Sequence, residues 1–349
     1  MPPFLSTPPR VRLVNAFARP FDGVVAAART CYSPKGIVTP EEVGGDALAD
    51  PVEKERRLSR RDSLARDVYL AGHHTTFQHA HFEFTLENVS RQLVWSFLHA
   101  HPFYNSEQTS QRYVEVKPGT FAVPPLSGEA LEVYRAACER QTEAYRRLGR
   151  LLVPVAARAF YGTFRGRESQ PARWEKAIRK RALEVARYVL PVATFTTLYH
   201  TVSAVTLFRY RRLAETFDAP TEQRMVVEAM TDELLRHDPS YVAVLEQPVP
   251  LEETPEYALA GRLFGGLHPD RPGDAAFRER FDAGLGGRVS RLVDRKARNE
   301  ELLAEAVREV VGATPGILSD DEAIALAIDP AANTLLGEAL NLTDHGKLA

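Results

Sequence analysis

Residues 10–17, RVRLVNAF, alternate apolar and polar side chains, and this period of two predicts a strand. The Ala-rich stretch DGVVAAARTCY predicts a short helix whose small residues suit close packing. Thr39-Pro40-Glu41-Glu42 is a helix start: a capping threonine, a proline in the first turn and a reciprocal glutamate. Residues 44–58, rich in Gly, Asp and Glu, read as a loop, and 61–72 as a helix with Gly72 as its stop. In 81–87 Phe82, Phe84 and Leu86 fall on one face of a strand. The period then lengthens. After Asn88 or Ser90 as cap, Leu93, Val94, Phe97 and Leu98 follow helical spacing until Pro102 ends the pattern, with a loop beyond it.

The second half reads as helical. Residues 127–162 predict one long helix, or two broken near Pro154, and 171–191 a basic helix ending at Pro191. Residues 194–217 predict a further helical segment, and 220–239 an amphipathic helix capped by Thr221. Residues 247–287, rich in Pro, Gly and Asp, read as a linker, followed by a charged helix at about 289–311 that ends at Gly312. This divides the chain into a domain over 1–246, a linker over 247–287 and a helical extension over 288–349. The extension echoes the front. An Ala-rich helix, then Pro, Gly, Ile and an aliphatic residue, then a capped acidic helix start occur in both places, with Ser319 and Glu322 standing where Thr39 and Glu42 stand. An internal duplication is the expectation; chance likeness of two helix starts is the alternative.

Composition narrows the class. The chain has 349 residues, with 44 Lys+Arg against 46 Asp+Glu, for a net charge of -2. That balance argues against a bulk electrostatic nucleic-acid binder and leaves room for a local basic pocket. Two cysteines, Cys31 and Cys138, cannot build a disulfide framework, and no signal-peptide pattern opens the chain, so a cytoplasmic protein is expected. Residues 188–208 contain no Asp, Glu, Lys or Arg. Pro191, His200, Ser203 and several threonines make this a buried helix of a soluble protein rather than a membrane span.

Three pieces bear on chemistry. The first is GHHTTFQHAHFEF at 72–84, where the strand period puts His79 and His81 on one face. With no Cys and no suitably spaced carboxylate–His pair, it lacks a zinc set, and no metal is expected. The second is Ser110-Gln111-Arg112-Tyr113, a hydroxyl and a guanidinium able to grip a phosphate. The third is Arg187, ahead of the long uncharged segment. Taken singly, Arg112 and Arg187 fit solvated surface arginines better than ligands.

In this order and at these separations the pieces resemble the flavin-dependent thymidylate synthases. The resemblance runs from AARTCYS (27–33) through HHTTFQHAHFEF, SQRYVEV and ARYVLP (186–191) to VVEAMTDELL (226–235). It implies an α+β fold, a largely antiparallel sheet flanked by helices. It implies conversion of dUMP to dTMP, with methylenetetrahydrofolate supplying the carbon and NADPH the hydride through FAD. It implies active sites built between subunits of a homotetramer. Residue by residue, His73, Thr75 and Gln78 take the positions of the family's FAD-contacting turn, Gln78 replacing a glutamate. Ser110, Arg112 and Arg187 take the positions of dUMP ligands, and Ser203 that of an asparagine at the flavin.

The chain departs from the family at its arginines. The Arg-His-Arg hallmark falls on Leu98-His99-Ala100 counted from His79, or on Ala100-His101-Pro102 counted from Ser110. Either way one histidine, His99 or His101, remains as the catalytic candidate. Val205 and Ala214 stand at two further arginine positions, and Asp218 at a histidine. Truncating one partner of a buried charge pair costs on the order of 2–5 kcal/mol. The losses therefore weigh on ligand binding unless Arg209, Arg211 or Arg212, or another chain, supplies cations. Three expectations follow: an active synthase with an altered site, a non-catalytic copy that scaffolds or regulates an active one, and a nucleotide-binding protein without chemistry. The copy reading takes 341–348 as the start of a second histidine turn, with the second Arg-His-Arg lying beyond the chain.

Overall fold

The computed structural model describes residues 4–100, 104–216, 219–264, 274–292 and 297–328. By internal packing the chain divides into two units, Met1–Leu267 and His268–Ala349.

The first unit is α+β. Its strands β1 (Arg10–Ala16), β2 (His81–Ser90), β3 (Tyr104–Gln108) and β4 (Phe195–Ser203) form an antiparallel sheet in the order β1-β2-β4-β3. Around it lie helices α1 (Pro20–Thr30), α2 (Pro40–Gly44), α3 (Pro51–Leu70), α4 (Arg91–Ala100), α5 (Gly128–Leu151), α6 (Val153–Thr163), α7 (Pro171–Ala186), α8 (Ala204–Thr216), α9 (Thr221–His237) and α10 (Pro255–Phe264). One sheet face is apolar: Phe82, Phe84 and Leu86 of β2 and Leu198 and Val202 of β4 are buried. Phe21, Val24 and Val25 of α1, Leu93 and Phe97 of α4, and Val226, Met230 and Leu234 of α9 complete that core. The opposite face pairs polar positions, among them Arg12 with Thr85 and Glu107 with Tyr199, as a one-sided antiparallel sheet requires.

Several elements differ from the sequence expectations. The segment expected to be helical over 194–217 is strand β4 followed by α8. Thr196, Leu198, His200 and Val202 are buried while Thr197 and Tyr199 are exposed. The absence of charge hid this period of two, and β-branched Thr196, Thr197, Thr201 and Val202 favour the pleated backbone. Part of the loop expected over 44–58 is the first turn of α3: the Asp50 carboxylate accepts the Val52 N–H at 3.0 Å, and Pro51 opens the helix. Thr221 is the first residue of α9, not its cap. The stretch read as a loop after α4 holds β3, and the stretch read as linker holds α10 and α11 (Asp274–Leu285). The long helix breaks at Leu152 into α5 and α6, with Pro154 in the first turn of the second. The basic helix ends at Ala186, and a short 3-10 turn carries the chain to Pro191.

Ser90, rather than Asn88, caps α4: its hydroxyl accepts the Leu93 N–H at 3.0 Å. Asn88 has φ 55 beside a register shift between Leu86 and Val89, a bulge that turns the strand into the helix. Buried Glu222 holds this junction by accepting the Ser90 N–H at 2.7 Å and the Ser90 hydroxyl. Burial pushes the Glu222 carboxyl up from its ordinary value.

The second unit holds α11, α12 (Asn299–Val311) and α13 (Asp320–Ile328). The charged helix expected from about 289 starts at Asn299 and closes on Gly312, whose φ of 69 suits a residue without Cβ. Ser319 and Glu322 exchange side-chain and backbone hydrogen bonds as Thr39 and Glu42 do. At a constant offset in numbering, buried Val24, Ala28 and Val43 correspond to buried Ala304, Arg308 and Ala323. Arg308 donates to Asp320 at 2.7 Å and to the Leu318 carbonyl at 3.2 Å, which ties the second pair of helices together. Among the described residues no helix is long and apolar enough to cross a membrane.

His200 lies on β4 inside the core, 0 % exposed, against Phe97 and Tyr104 at ring separations of 4.6 and 5.4 Å. Neither ring nitrogen has a hydrogen-bond partner. Burial pulls its pKa from 6.5 down to about 3, so the folded chain refuses a proton that the unfolded chain takes. Its contribution is complete above the unfolded value and lost as pH falls toward the folded one. The limiting slope is about 1.4 kcal/mol per pH unit. Urea unfolding from pH 7 to pH 4 (~3 pH units of that window) should show a clear acid loss of stability. His200→Phe should flatten it, with no loss at neutral pH; an unchanged acid limb would contradict this account.

Candidate functional site

The expected site residues gather at two places, one at each end of β4. At the end that starts the strand, the Thr197 and Thr109 hydroxyls lie 2.7 Å apart, which fixes β3 and the following turn beside β4. The Ser110 hydroxyl accepts the Arg112 N–H at 3.2 Å, so this serine shapes the turn that presents the arginine. Arg112 forms an ion pair with Glu184 of α7 at 2.6 Å, and Arg181 reaches the same carboxylate at 3.0 Å. Arg187 donates to the Glu184 carbonyl at 3.1 Å. The ring of Tyr113 lies 5.7 Å from the Arg112 guanidinium and 5.2 Å from the Lys180 ammonium. The structure thus brings Ser110, Arg112 and Arg187 to one corner, as the sequence pattern required.

Arg91, which sequence reasoning missed, stands at the same corner. It opens α4, and its backbone N–H donates to the Thr194 carbonyl at 3.0 Å. Its guanidinium donates to the Gln108 side-chain oxygen at 2.5 Å and to the Thr109 carbonyl. Burial, and then the positive charge of Arg187, lower its pKa. The available signal was its place immediately after the capping serine at a helix start.

At the other end of β4 the 72–84 segment folds as a 3-10 helix, His74–His79, leading into β2. His79 therefore closes that helix, and the expected strand-face pairing with His81 does not form. Phe77 anchors the turn, 2 % exposed. The Ser203 hydroxyl donates to Gln78 at 2.6 Å and lies 3.1 Å from the Thr206 hydroxyl, and the Gln78 amide reaches Thr206 at 3.4 Å. Ser203 also accepts the Thr206 N–H at 3.3 Å and so caps α8. Gln78 and Ser203 meet as expected, but they satisfy one another.

His73 and Thr75 are exposed beside this network, and His73 faces Tyr32 with ring centres 6.4 Å apart. Arg209 donates to His74 Nδ1 at 2.7 Å, and Arg can only donate. The other ring nitrogen therefore carries the proton and donates to the Tyr69 carbonyl at 3.0 Å. Of the three arginines weighed as substitutes, Arg211 pairs with Glu215 at 2.8 Å and Arg212 with Glu246 at 3.1 Å. Arg209 alone of these turns to the histidine segment, one helical turn beyond buried Val205.

His99 lies in the last turn of α4, and His101 and Asp218 lie outside the described residues. Among the described residues no cluster of His, Cys, Asp and Glu suits a metal ion. The two ends of β4 are on the order of 20 Å apart, at ~3.3 Å per residue between Thr197 and Ser203.

Comparison with known proteins adds the lineage. The family model described as thymidylate synthase complementing protein matches residues 12–240. A flavin-dependent thymidylate synthase of Clostridium tetani is 26% identical over 234 residues, covering 66% of this chain and 84% of its own. One from Geobacter sulfurreducens is 27% identical over 208 residues, covering 53% and 83%. Among solved structures, the UMP/dUMP methylase PolB of Streptomyces cacaoi with 5-Br dUMP gives a TM-score of 0.43 at 21% identity over 68% of this chain and 96% of that one. The flavin-dependent thymidylate synthase of Helicobacter pylori complexed with FAD and dUMP gives 0.44 at 16% identity over 68% and 98%.

The double role of Ser203 makes a stability prediction. Ser203→Ala removes a helix cap and leaves half-buried Gln78 and buried Thr206 short of a partner, at a cost of about 1–3 kcal/mol. Chemical denaturation should show that loss, and Ser203→Asn, able to cap and to bond Gln78, should recover part of it.

Proposed function

The chain belongs to the thymidylate synthase complementing protein family, and from that premise we propose that it is a flavin-dependent thymidylate synthase acting on dUMP. The overall reaction takes dUMP, methylenetetrahydrofolate, NADPH and a proton to dTMP, tetrahydrofolate and NADP+. The carbon forms a new bond at C5 of the uracil, and the hydrogen there leaves as a proton. The observation that carries the reading is the family match over 12–240 together with the convergence of Ser110, Arg112 and Arg187.

At the nucleotide corner Arg187 supplies positive charge and the Ser110 turn supplies a hydroxyl and backbone N–H groups for the dUMP phosphate. Arg112, already paired with Glu184, orders the wall of this corner more than it neutralises a ligand. At the other end, the donor set of exposed His73 and Thr75, with Arg209 behind His74, suits the anionic pyrophosphate of FAD. These residues would hold the cofactor while Gln78, Ser203 and Thr206 keep the turn rigid. When bound, FAD supplies hydride transfer from NADPH. His99 or His101 is the proposed catalytic group beside it. The separation of the two corners within one chain supports a homo-oligomer, such as a tetramer, whose sites combine corners of different copies. A location in the cytoplasm accords with this reaction.

A second reading is a non-catalytic copy that scaffolds or regulates an active chain. The mutual saturation of Gln78, Ser203 and Thr206, with Leu98, Ala100 and Val205 at arginine positions, favours it. The purified chain should be yellow, and should release tritium from 5-tritiated dUMP when NADPH and methylenetetrahydrofolate are supplied. A colourless sample that ignores added FAD and releases none sinks the catalytic reading. Co-purification of that sample with an intact synthase chain would favour the second.

A further inference from the structure

At the nucleotide corner the charges do not cancel. Arg112 is paired with Glu184. Arg91 has only neutral acceptors, the Gln108 amide oxygen and the Thr109 carbonyl, and its Nε has no hydrogen-bond partner. Arg187 donates to a neutral carbonyl and sits close enough to add repulsion to Arg91. Two guanidiniums side by side without a carboxylate between them are costly to bury and gain most from an incoming anion. Arg91 also lines a cavity of about 220 Å³, together with the hydroxyls of Thr109, Ser110 and Thr197 and the ammonium of Lys117. Glu115, which also lines it, is paired with Arg179 at 2.8 Å. Val114, Val116 and Phe195 give the same cavity an apolar side, so it joins two cations to a hydrophobic wall.

We propose that Arg91 binds the phosphate of a nucleoside monophosphate in this cavity, whose lining also carries Lys117, with Arg187 adding positive charge from outside the lining. This rests on the reading of the chain as a dUMP-binding protein. Arg91 and Lys117 match a dianion in charge, and Arg91 keeps N–H groups to offer because an arginine carries five.

The test is calorimetric titration of the full-length chain and of Arg91→Gln, Arg91→Lys and Arg187→Gln with dUMP, deoxyuridine and inorganic phosphate. Arg91→Gln should weaken dUMP on the order of 30-fold or more and leave deoxyuridine unchanged, with Arg91→Lys between the two. Its melting temperature without ligand should equal or exceed the parent's, because an uncompensated charge is gone. Arg91→Gln that binds dUMP as the parent does overturns the proposal. So does equal loss of deoxyuridine and dUMP, which marks a structural role, and so does a parent chain that binds neither dUMP nor phosphate. Phosphate binding that depends on Arg91 but shows no preference for dUMP overturns the nucleotide part. The synthase reading fails separately: Arg91-dependent dUMP binding without tritium release keeps this proposal and removes that activity. Tritium release from an Arg91→Gln chain with normal dUMP affinity does the reverse.

Discussion

Strand β4 is hydrogen-bonded along both edges, to β2 on one side and β3 on the other. Everything the first unit can do chemically is positioned by that double pairing. Its start aligns Thr197 with Thr109 and so sets the Ser110–Arg112 turn against α7. Its end delivers Ser203 to Gln78 and launches α8, from which Arg209 reaches His74. Because side chains alternate on a strand, a slip of one residue would send Leu198, His200 and Val202 out of the core and break both corners at once. Large apolar residues on β2, α4 and α9 hold the register with far more buried area than any polar contact at the site.

The two corners handle charge differently. At the histidine turn, polar groups are closed on one another: Gln78, Ser203 and Thr206 form a small circuit, and Arg212 and Arg211 have carboxylate partners. At the Ser110–Arg112 corner, Arg112 has Glu184, whereas Arg91 and Arg187 rest on neutral oxygens. A fully paired buried network rigidifies a fold, whereas an unpaired buried polar group is costly. The family's hallmark arginines are absent in either register, 98–100 or 100–102, and arginines stand at the head of α4 and a turn into α8.

Much of this was legible in the sequence where a local rule decides the outcome. The Thr39 and Ser319 boxes, the β2 alternation of Phe82, Phe84 and Leu86, and the Gly312 stop follow from the residues alone and form as read. Strand β4 was not legible as a strand, because Thr196 through Ser203 are buried on one side and uncharged on the other, so no polar face announced the period. Asp50 was hidden in an acidic loop composition that conceals which acid caps a helix. The proximity of Ser110, Arg112 and Arg187 was legible as a set, since a family pattern ties their identities together. Arg91 and Glu184 were not, because their importance arises from who stands next to whom, which spacing along the chain does not encode. Ser203 was expected inside a helical segment, whereas it ends β4 and caps α8.

The antiparallel order β1-β2-β4-β3 also fixes where the chain's conformational entropy is spent. The α12–α13 pair joins residues close in sequence and closes a short loop. Strand β4 reaches β2 only after the whole of 91–194 has been enclosed, and β3 finds β4 across much of the same span. Loop-closure entropy grows with the logarithm of the enclosed length, and contacts of long sequence separation slow folding. Both corners of the site hang on this one long-range closure. Their geometry therefore depends on the last strand to join the sheet in chain order.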